Sequence, residues 1–494
     1  MRNRGGTAHS PRFGFTRRVP LSPSSLRRPC SPGCVPARRG RGHMEGATGM
    51  SEHREKVWAA IDKGRLKKLG MDLVDIWSPT GEESEIAHFL GSHYESIGLA
   101  SRLQEFETDR FNALGTLVGD GTGIEFLFCG HIDTSYSGKE PGLPKLPAYQ
   151  PNAWSETDPA TGEEWIYGLG IYNMKGAIAC YVEALNAIQD AGVKLKGNVT
   201  VGAVGGEIEM GAVDQYQGKH YRGGGCGACY LATHGGTADM AVIGEPSEMR
   251  VVLGHMGYVY HKITVYGTPA HTTYAHNAVN AILKMKKILD ALERWAPKYR
   301  EAHPYGNSNA NVNIAAIEGG WPWRCSRTPV FCNLYLDTRL LPRQHPLEIK
   351  REIQDIIEEI VAGDPDLKVD LEMYMSNPGA EIEDDEYIYG AIKRAHKSVH
   401  GQDPETVTEG WISDASHITR YGVPTLNYGP SGRTRSGVPG WDPNIGEHVS
   451  LEDLYHTTKV YASLLLDVCG TPREEILPHI KRKIEEQRHS TVTL

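Results

Sequence analysis

Two pairs of side chains that could perform metal chemistry directly follow apolar, strand-like runs. His131 and Asp133 lie in FLFCGHIDTS, and Glu207 and Glu209 follow NVTVGAV in the stretch GGEIEMGA. Imidazole is a common ligand of zinc-like ions, and a nearby carboxylate typically orients the ring through its other nitrogen. Two carboxylates that leave a buried strand together are costly to bury unless a metal ion or a proton compensates their charge. One of them could bind a metal ion while the other acts as general base on a water molecule.

Two further candidate ligands, Glu245 and His448, occupy similar positions later in the chain. Glu245 follows the apolar run in ADMAVIGEPS, and His448, in NIGEHVSLEDL, precedes the last predicted helix. Open α/β sheets place their ligand sites at the carboxyl ends of strands, so these side chains could meet. Taken singly, the His-x-Asp and Glu-x-Glu motifs fit an unliganded histidine or a solvated loop at least as well. Their order along the chain is what favours a metal site.

The stretch YGLGIYNMKGAIA places Asn173 in a short turn between an apolar run and a helix predicted from about Met174. A metal hydrolase is expected to carry a carboxylate in such a turn. An amide oxygen can bind a metal ion but has no charge, and the amide nitrogen cannot bridge two ions. Asn173 is therefore the candidate ligand that agrees least with a two-metal site.

The segments that must position these residues alternate between strand-like and helix-like patterns from about residue 52 to residue 254. Short apolar runs such as IEFLF predict buried strands, and apolar residues recur at helical spacing from Ile178 to Ile188. Such alternation predicts an α/β fold with a mixed, largely parallel sheet. The same pattern resumes after about Ser376, with a closing helix predicted from Leu451 to Val468.

The intervening segment has a different order of elements. From YVYHKITVYG to LKVDLEMYM the patterns predict strand, helix, strand, strand, helix and strand. This βαββαβ order predicts a compact α+β ferredoxin-like domain inserted into the α/β domain. We therefore expect a basic tail at 1–50, the catalytic domain in two parts at 51–254 and 376–494, and the inserted domain at 255–375.

The charge of the chain is distributed unevenly. The 494 residues carry a formal net charge of −9, yet the first fifty hold ten Arg, no Lys and one acidic residue. We expect this stretch to be a disordered tail, or a translated region preceding a start at Met44 or Met50, with a transit peptide as the alternative. The remaining residues then have a formal net charge of −18. A surface this acidic disfavours nucleic-acid backbones and anionic membranes as partners.

Hydropathy and cysteine usage indicate the compartment. No run approaches the roughly 20 apolar residues of a membrane helix. The nine cysteines show no disulfide-like spacing, and CGAC at Cys226–Cys229 has no second pair. A reducing, cytoplasmic location is therefore predicted.

Six short motifs resemble, in the same order, those of the metallopeptidase and amidohydrolase family of acetylornithine deacetylase, succinyl-diaminopimelate desuccinylase, aminoacylase and glutamate carboxypeptidase. They lie between about Val57 and Leu466 and read GHIDTS, YNMKG, GEIEMG, IGEPS, GTPAHTT and GEHVSLEDL. Members of that family hold two zinc-like ions bridged by an aspartate and a water molecule. The resemblance implies Zn²⁺, or Mn²⁺ or Co²⁺, and an inserted domain that serves as lid and dimerisation domain.

The resemblance also implies roles for the candidate residues. His131 and Glu245 would bind one ion and His448 the other, and Asp133 would orient His131. The family has a Glu-Glu dipeptide where this chain has Glu-Ile-Glu. Either Glu207 is the general base and Glu209 a ligand of the second ion, or Ile208 occupies one of those two positions. We prefer the first assignment, because residues i and i+2 of an extended segment share a face.

Three residues of the inserted domain resemble substrate-contacting positions. His271 of PAHTT resembles the histidine that reaches the active site of a neighbouring subunit and polarises the scissile carbonyl. Asn313 and Arg339 resemble substrate-binding positions, and the planar guanidinium of Arg339 suits a carboxylate. Arg339 could equally form a structural ion pair. A homodimer through the inserted domain follows by analogy.

Asn173 stands where the family has its bridging aspartate. Two divalent ions about 3.5–4 Å apart repel strongly, and a bridging carboxylate helps to hold them together. The substitution therefore predicts one tightly held ion, or a changed metal preference, in place of the usual pair.

The function predicted from these residues is metal-dependent hydrolysis of an amide-like C–N bond in a small molecule, such as an N-acyl amino acid or a dipeptide. Metal-activated water would attack with Glu207 as general base. Two alternatives stay open. Asn173 and Ile208 would also suit a non-catalytic relative that binds a ligand or partner, or an enzyme with a changed C–N reaction, such as ring opening or deamination.

Overall fold

The computed structural model describes residues 52–140, 146–431, 441–442 and 445–480. The predicted tail at 1–50 lies outside the described residues. None of the described helices is long and apolar enough to cross a membrane.

The elements are numbered in chain order. The helices are α1 (52–60), α2 (Lys63–Asp75), α3 (Ser84–Ser96), α4 (Gly176–Asp190), α5 (Cys226–Thr233), α6 (Ala281–Ala302), α7 (Pro346–Ala362), α8 (Tyr387–His400), α9 (Ala415–Thr419), α10 (Leu451–Val468) and α11 (473–480). The strands are β1 (Ala100–Glu107), β2 (Arg110–Leu117), β3 (Glu125–His131), β4 (Trp154–Thr157), β5 (Glu164–Tyr167), β6 (Asn198–Val204), β7 (Met240–Ile243), β8 (Val251–His255), β9 (Gly257–Tyr266), β10 (Pro304–Tyr305), β11 (Ser308–Asn309), β12 (Val312–Gly319), β13 (Phe331–Leu340), β14 (Lys368–Asn377), β15 (Ala380–Glu381), β16 (Thr406–Glu409), β17 (Thr425–Asn427), β18 (Trp441–Asp442) and β19 (Gly446–Ser450).

A nine-stranded mixed sheet forms the centre of the α/β part. Its order is β1-β2-β6-β3-β7-β17-β8-β15, and β16 also pairs with β8. The central strands β6, β3, β7 and β17 are mutually parallel, whereas β1, β2 and β15 pair antiparallel. Parallel neighbours end at the same edge, so β3, β6 and β7 deliver the residues after them to one place.

Helix α4 is covered on almost every side. Ala177, Ile178, Tyr181 and Leu185 are fully buried in the main core, which α10 also lines. Buried parallel strands are nearly continuously apolar because both faces are covered, as the burial of β3 after its first residue shows. The short turn 171–175, which contains Asn173, leads directly into α4.

The inserted segment has its own sheet and its own core. Its sheet order is β12-β13-β9-β14, with every neighbouring pair antiparallel. Helices α6 and α7 pack on this sheet, and a separate cluster of buried side chains extends from Met256 to Leu367. This is the ferredoxin-like order, and the predicted fold class, an α/β domain with an inserted α+β domain, is confirmed.

A small sheet of order β18-β19-β5-β4 lies beside the turn 171–175. In it β19 pairs antiparallel with β5, with His448 opposite Tyr167. This pairing fixes the positions of Glu447 and His448.

Candidate metal centre and active site

His131, at the end of β3, is fully buried and turns one ring nitrogen toward Asn173 and two glutamates. Its Nδ1 lies 2.8 Å from the backbone carbonyl oxygen of Asp133. Because a carbonyl only accepts, Nδ1 carries the hydrogen, and Nε2 faces the site. Nε2 lies 3.1 Å from Oδ1 of Asn173, 3.8 Å from Oε1 of Glu245 and 3.9 Å from Oε2 of Glu207. Four predicted site residues, from four separate segments, thus meet around this nitrogen.

The two glutamates of this cluster are buried, and burial disfavours their ionised forms. Burial raises the pKa of Glu245 to about 7, although His131 opposes the shift. Burial, followed by the charge of Glu245, raises the pKa of Glu207 well above its usual range. Burial would lower the pKa of His131, but the carboxylates of Glu245 and Asp133 outweigh it and raise that pKa. A positive charge at this place would stabilise the ionised forms of both glutamates and would favour the neutral form of His131.

The donor atoms fit a single divalent ion. Among the described residues no three His, Cys, Asp or Glu side chains form a ready-made metal centre by themselves. Here the imidazole of His131, the amide oxygen of Asn173 and the carboxylate of Glu245 offer three donor groups, with the carboxylate of Glu207 beside them. Ligand atoms around a four-coordinate ion with bonds of about 2.0–2.2 Å lie roughly 3.3–3.6 Å apart, close to the observed spacings. Oε1 of Glu245 is buried and has no hydrogen-bond partner within the described structure, so it has a lone pair that could bind a cation.

A second ion finds no comparable set in the described part of the chain. Ile208 is apolar, and Asn173 lacks the charge of a bridging carboxylate. Glu209, predicted as a ligand of that ion, pairs with Arg339. The ring of His448 lies against Tyr167 and Trp165, with centroid distances of 5.5 and 5.4 Å. Glu209 therefore points away from the cluster around His131.

Asp133 contributes two different groups. Its carbonyl oxygen orients His131, while its fully buried carboxylate accepts hydrogen bonds from the backbone amides of Glu207 at 3.0 Å and Ile208 at 3.2 Å. The hydroxyl of Thr80 donates a third hydrogen bond at 2.8 Å. The ring is thus oriented by the backbone carbonyl of Asp133, and the carboxylate predicted for that role holds the loop that carries Glu207 instead.

The cluster opens into a cavity of about 440 Å³. Its walls carry three acidic side chains and one basic side chain, those of Glu207, Glu209, Glu245 and Arg339, together with Asn173 and the apolar or aromatic residues Tyr136, Tyr172, Pro246, Ile208, Trp411 and Ile412. This volume suits a small molecule.

His271 and Asn313 lie outside this cavity. Both are exposed in the chain, and Nδ1 of His271 is 3.1 Å from the hydroxyl of Thr273 in the loop before α6. Neither residue is among those that line the cavity. Within a single copy of the chain, His271 and Asn313 therefore do not join the cluster around His131.

Three buried charged residues near the site are not among the predicted site residues, namely Glu447, Lys175 and Asp414. Oε2 of Glu447 accepts hydrogen bonds from the backbone amides of Gly170 at 2.9 Å and Asn173 at 3.3 Å, and so holds the turn. Nζ of Lys175 donates to two backbone carbonyls at the end of α2, at 2.8 and 3.1 Å.

Asp414 was predicted only to order a loop. Its carboxyl is buried without a hydrogen-bond partner among the described residues, and burial raises its pKa to about 8. For Glu447 the sequence does hold one signal. Successive side chains of a strand point to opposite faces, so Glu447 and His448, which are neighbours on β19, must point to opposite sides.

Curated relatives match the chain over most of its length. The chain is 26% identical over 388 residues to an acetylornithine deacetylase from Myxococcus xanthus, which covers 76% of this chain and 90% of the relative. It is 25% identical over 409 residues to a succinyl-diaminopimelate desuccinylase from Rhodospirillum centenum, with coverages of 80% and 95%.

Solved structures support the same fold. Human carnosine dipeptidase 1 superposes with a TM-score of 0.65 at 15% identity, over 85% of this chain and 99% of that one. A tripeptidase from Staphylococcus aureus gives a TM-score of 0.61 at 19% identity, over 83% and 100%. At these identities the likeness establishes the fold alone.

The family assignment rests on a match to most of the chain. The family model for Peptidase family M20/M25/M40 matches residues 127–467, which include every predicted site residue. The predicted resemblance is confirmed, and with it the enzyme class, a hydrolase acting on carbon–nitrogen bonds. The chain belongs to peptidase family M20/M25/M40.

Proposed function

We propose that this chain hydrolyses an amide-like C–N bond of a small substrate with a single divalent metal ion held by His131, Asn173 and Glu245. The observation that carries the proposal is the convergence of these side chains and Glu207 around Nε2 of His131, at the wall of the cavity. The names of the relatives, a deacetylase, a desuccinylase and peptidases, agree with an amide substrate.

The ion, Zn²⁺, Mn²⁺ or Co²⁺, would supply Lewis acidity that polarises the amide carbonyl and lowers the pKa of water toward about 7. Glu207 takes a proton from the attacking water at its carboxylate and delivers it to the departing nitrogen. The water oxygen forms a bond to the carbonyl carbon as the C–N bond breaks, which yields a carboxylic acid and an amine. Asp133 keeps Glu207 in place through the backbone amide hydrogen bonds described above.

The inserted domain has two proposed roles in this reaction. His271 of a second copy stabilises the developing oxyanion, which accounts for its exposure and its distance from the cavity of its own chain. Asn313, exposed on β12, contacts substrate from the same side. Both roles require a homodimer, and exposed apolar side chains such as Leu283, Ile317 and Trp323 support a contact through this domain.

A cytoplasmic location is part of the same proposal. The seven cysteines of the described residues are free thiols, as a reducing compartment would keep them. Sedimentation analysis of the purified chain, with Leu283→Glu as the interface variant, measures whether the dimer forms.

Metal analysis and turnover of one variant test the proposal. We expect about one Zn²⁺, Mn²⁺ or Co²⁺ per chain, and Glu207→Gln should lower kcat by about 10²–10⁴ while metal content is unchanged. Glu318→Gln, which removes a carboxylate outside the cavity, is the matched control. Absence of bound metal after incubation with each of the three ions would leave a non-catalytic binding protein as the better account.

A further inference from the structure

The single guanidinium among the cavity-lining residues is already engaged by two carboxylates. Nη1 of Arg339 pairs with the carboxylate of Glu209, and Nη2 donates to Oδ2 of Asp337 at 2.9 Å. The side chains of Arg339 and Glu209 are only 21% and 27% exposed, so water screens this pair incompletely. Two carboxylates around one guanidinium leave a net negative charge at this end of the cavity.

Both partners of the pair are held by the backbone around them. The hydroxyl of Tyr260 donates to the backbone carbonyl of Glu209 at 3.0 Å, which fixes the loop after β6 against β9. The backbone amide of Arg339 donates to the carbonyl of Asn311 at 2.9 Å, and its carbonyl accepts from the hydroxyl of Tyr299 at 2.8 Å. The guanidinium also lies over the ring of Tyr258, 5.8 Å from its centroid. These contacts hold Glu209 and Arg339 in fixed positions where the inserted domain meets the α/β domain.

A substrate carboxylate would meet an unfavourable arrangement here. A substrate carboxylate that bound the remaining N–H groups of Arg339 would lie beside the carboxylates of Glu209 and Asp337. Like charges this close to one another, and only partly screened by water, disfavour its binding.

An ammonium group would meet a favourable arrangement. Glu209 lines the cavity and can offer its second carboxylate oxygen to a cation. The carboxylate of Asp337 lies behind Arg339, outside the cavity lining, and adds its negative charge at short range. A cationic group bound by Glu209 would neutralise the net negative charge of these three side chains.

We propose that the cavity prefers substrates that carry an ammonium group at the end remote from the scissile amide over those that carry a carboxylate there, and that Glu209 determines this preference. The inference rests on the proposed amide hydrolysis, and it assigns Glu209 to substrate selection instead of to a second metal ion. Arg339 then serves to orient Glu209 and Asp337, and the predicted use of its guanidinium for a substrate carboxylate does not apply.

A matched pair of ligands tests the preference directly. N-acetyl-1,4-diaminobutane and 4-acetamidobutanoate share an acetamide and a similar chain length, but their ends carry opposite charges. Calorimetric titration of the full, metal-loaded protein should show at least tenfold tighter binding of the amine. In Glu209→Gln this ratio should fall at least tenfold, whereas Glu372→Gln, an equal charge change at an exposed position of β14, should leave it unchanged.

Other results would overturn the inference. These are tighter binding of the carboxylate by the wild type, no binding of either ligand, or an unchanged ratio in both Glu209→Gln and Asp337→Asn variants whose circular dichroism matches that of the wild type. Hydrolysis of both compounds is measured separately. An amine preference in binding without any turnover would refute the proposed function while supporting this inference, and turnover with a carboxylate preference would do the reverse.

Discussion

The carboxylate of Asp133 accepts hydrogen bonds from the backbone amides of both Glu207, at 3.0 Å, and Ile208, at 3.2 Å. The backbone carbonyl of the same residue accepts from Nδ1 of His131 at 2.8 Å. One residue therefore sets the position of the proposed metal ligand on β3 and of the proposed general base after β6. Neither strand could shift without breaking this connection.

Asp133→Asn is expected to disturb this connection without changing the size of the side chain. An amide offers one accepting oxygen, so the NH₂ group must face either Thr80 or one of the two backbone amides. We expect kcat/KM and metal affinity to fall by about 10–100-fold, the usual cost of losing a group that orients metal ligands. Steady-state kinetics and metal titration measure both. Asp120→Asn, at an exposed turn, is the control, and equal parameters for the two variants would contradict the connection.

Restoring charge around Asn173 should change the number of metal ions bound. Asn173→Asp alone adds a bridging carboxylate, and Ile208→Glu adds a ligand for the second ion. We expect about one ion per chain in the wild type and in either single variant, and about two in the double variant, because the second ion needs both groups. Elemental analysis after dialysis gives the count. Two ions in the wild type would show that His448 or residues beyond those described complete a second site.

Much of the fold follows from periodicity in the sequence. Buried parallel strands such as β3 and β7 are continuously apolar, and the inserted domain has its six elements in one unbroken order, so both parts could be predicted. The meeting of His131, Glu207 and Glu245 follows from the same rule, because β3, β6 and β7 are parallel neighbours whose carboxyl ends coincide.

The orientation of the Glu209 side chain could not be predicted from strand periodicity. The argument that residues i and i+2 share a face holds for an extended strand, but β6 ends at Val204 and the chain bends at Ile208, whose carbonyl accepts from the amide of Met210 at 2.7 Å. On either side of that bend the side chains of Glu207 and Glu209 diverge, one toward His131 and the other toward Arg339. Arg339 lies 130 residues later, and no local pattern links it to Glu209.

A fully buried ion pair between Glu83 and Arg110 should be important for stability. Both side chains are 0% exposed, and Arg110 donates to Glu83 through Nε at 2.9 Å and Nη2 at 2.5 Å. Glu83→Gln leaves a buried guanidinium short of a negative partner, so we expect the free energy of unfolding to fall by about 3–5 kcal/mol. Urea denaturation measures the change.

The exposed pair of Lys68 and Asp72 provides the comparison. Asp72→Asn breaks an ion pair of two helix residues four positions apart on α2, with Lys68 74% exposed, and should cost no more than about 0.5 kcal/mol. Similar losses for Glu83→Gln and Asp72→Asn would mean that water reaches Arg110 in solution.

His261 should make the protein sensitive to acid. It lies on the core-facing side of β9, is 0% exposed, and neither ring nitrogen has a hydrogen-bond partner in the described structure. Burial, followed by the charge of Lys350, lowers the pKa of His261 to about 4. The unfolded chain, with a pKa near 6.5, binds a proton more readily than the folded one between these values. Stability from this group is therefore present above about pH 6.5 and is lost as the pH falls toward 4.

Replacement by a non-titrating apolar residue removes this loss. Between pH 7.5 and pH 5 His261 should cost the wild type about 2 kcal/mol of unfolding free energy, and His261→Leu should retain that amount. Urea denaturation at both pH values gives the difference, with His276→Gln, at an exposed position, as the control. Because the comparison is between two pH values for each variant, any repacking effect of leucine that is independent of pH cancels. Equal pH dependence in His261→Leu and the wild type would mean that the ring is protonated, and hence solvated, in the folded protein.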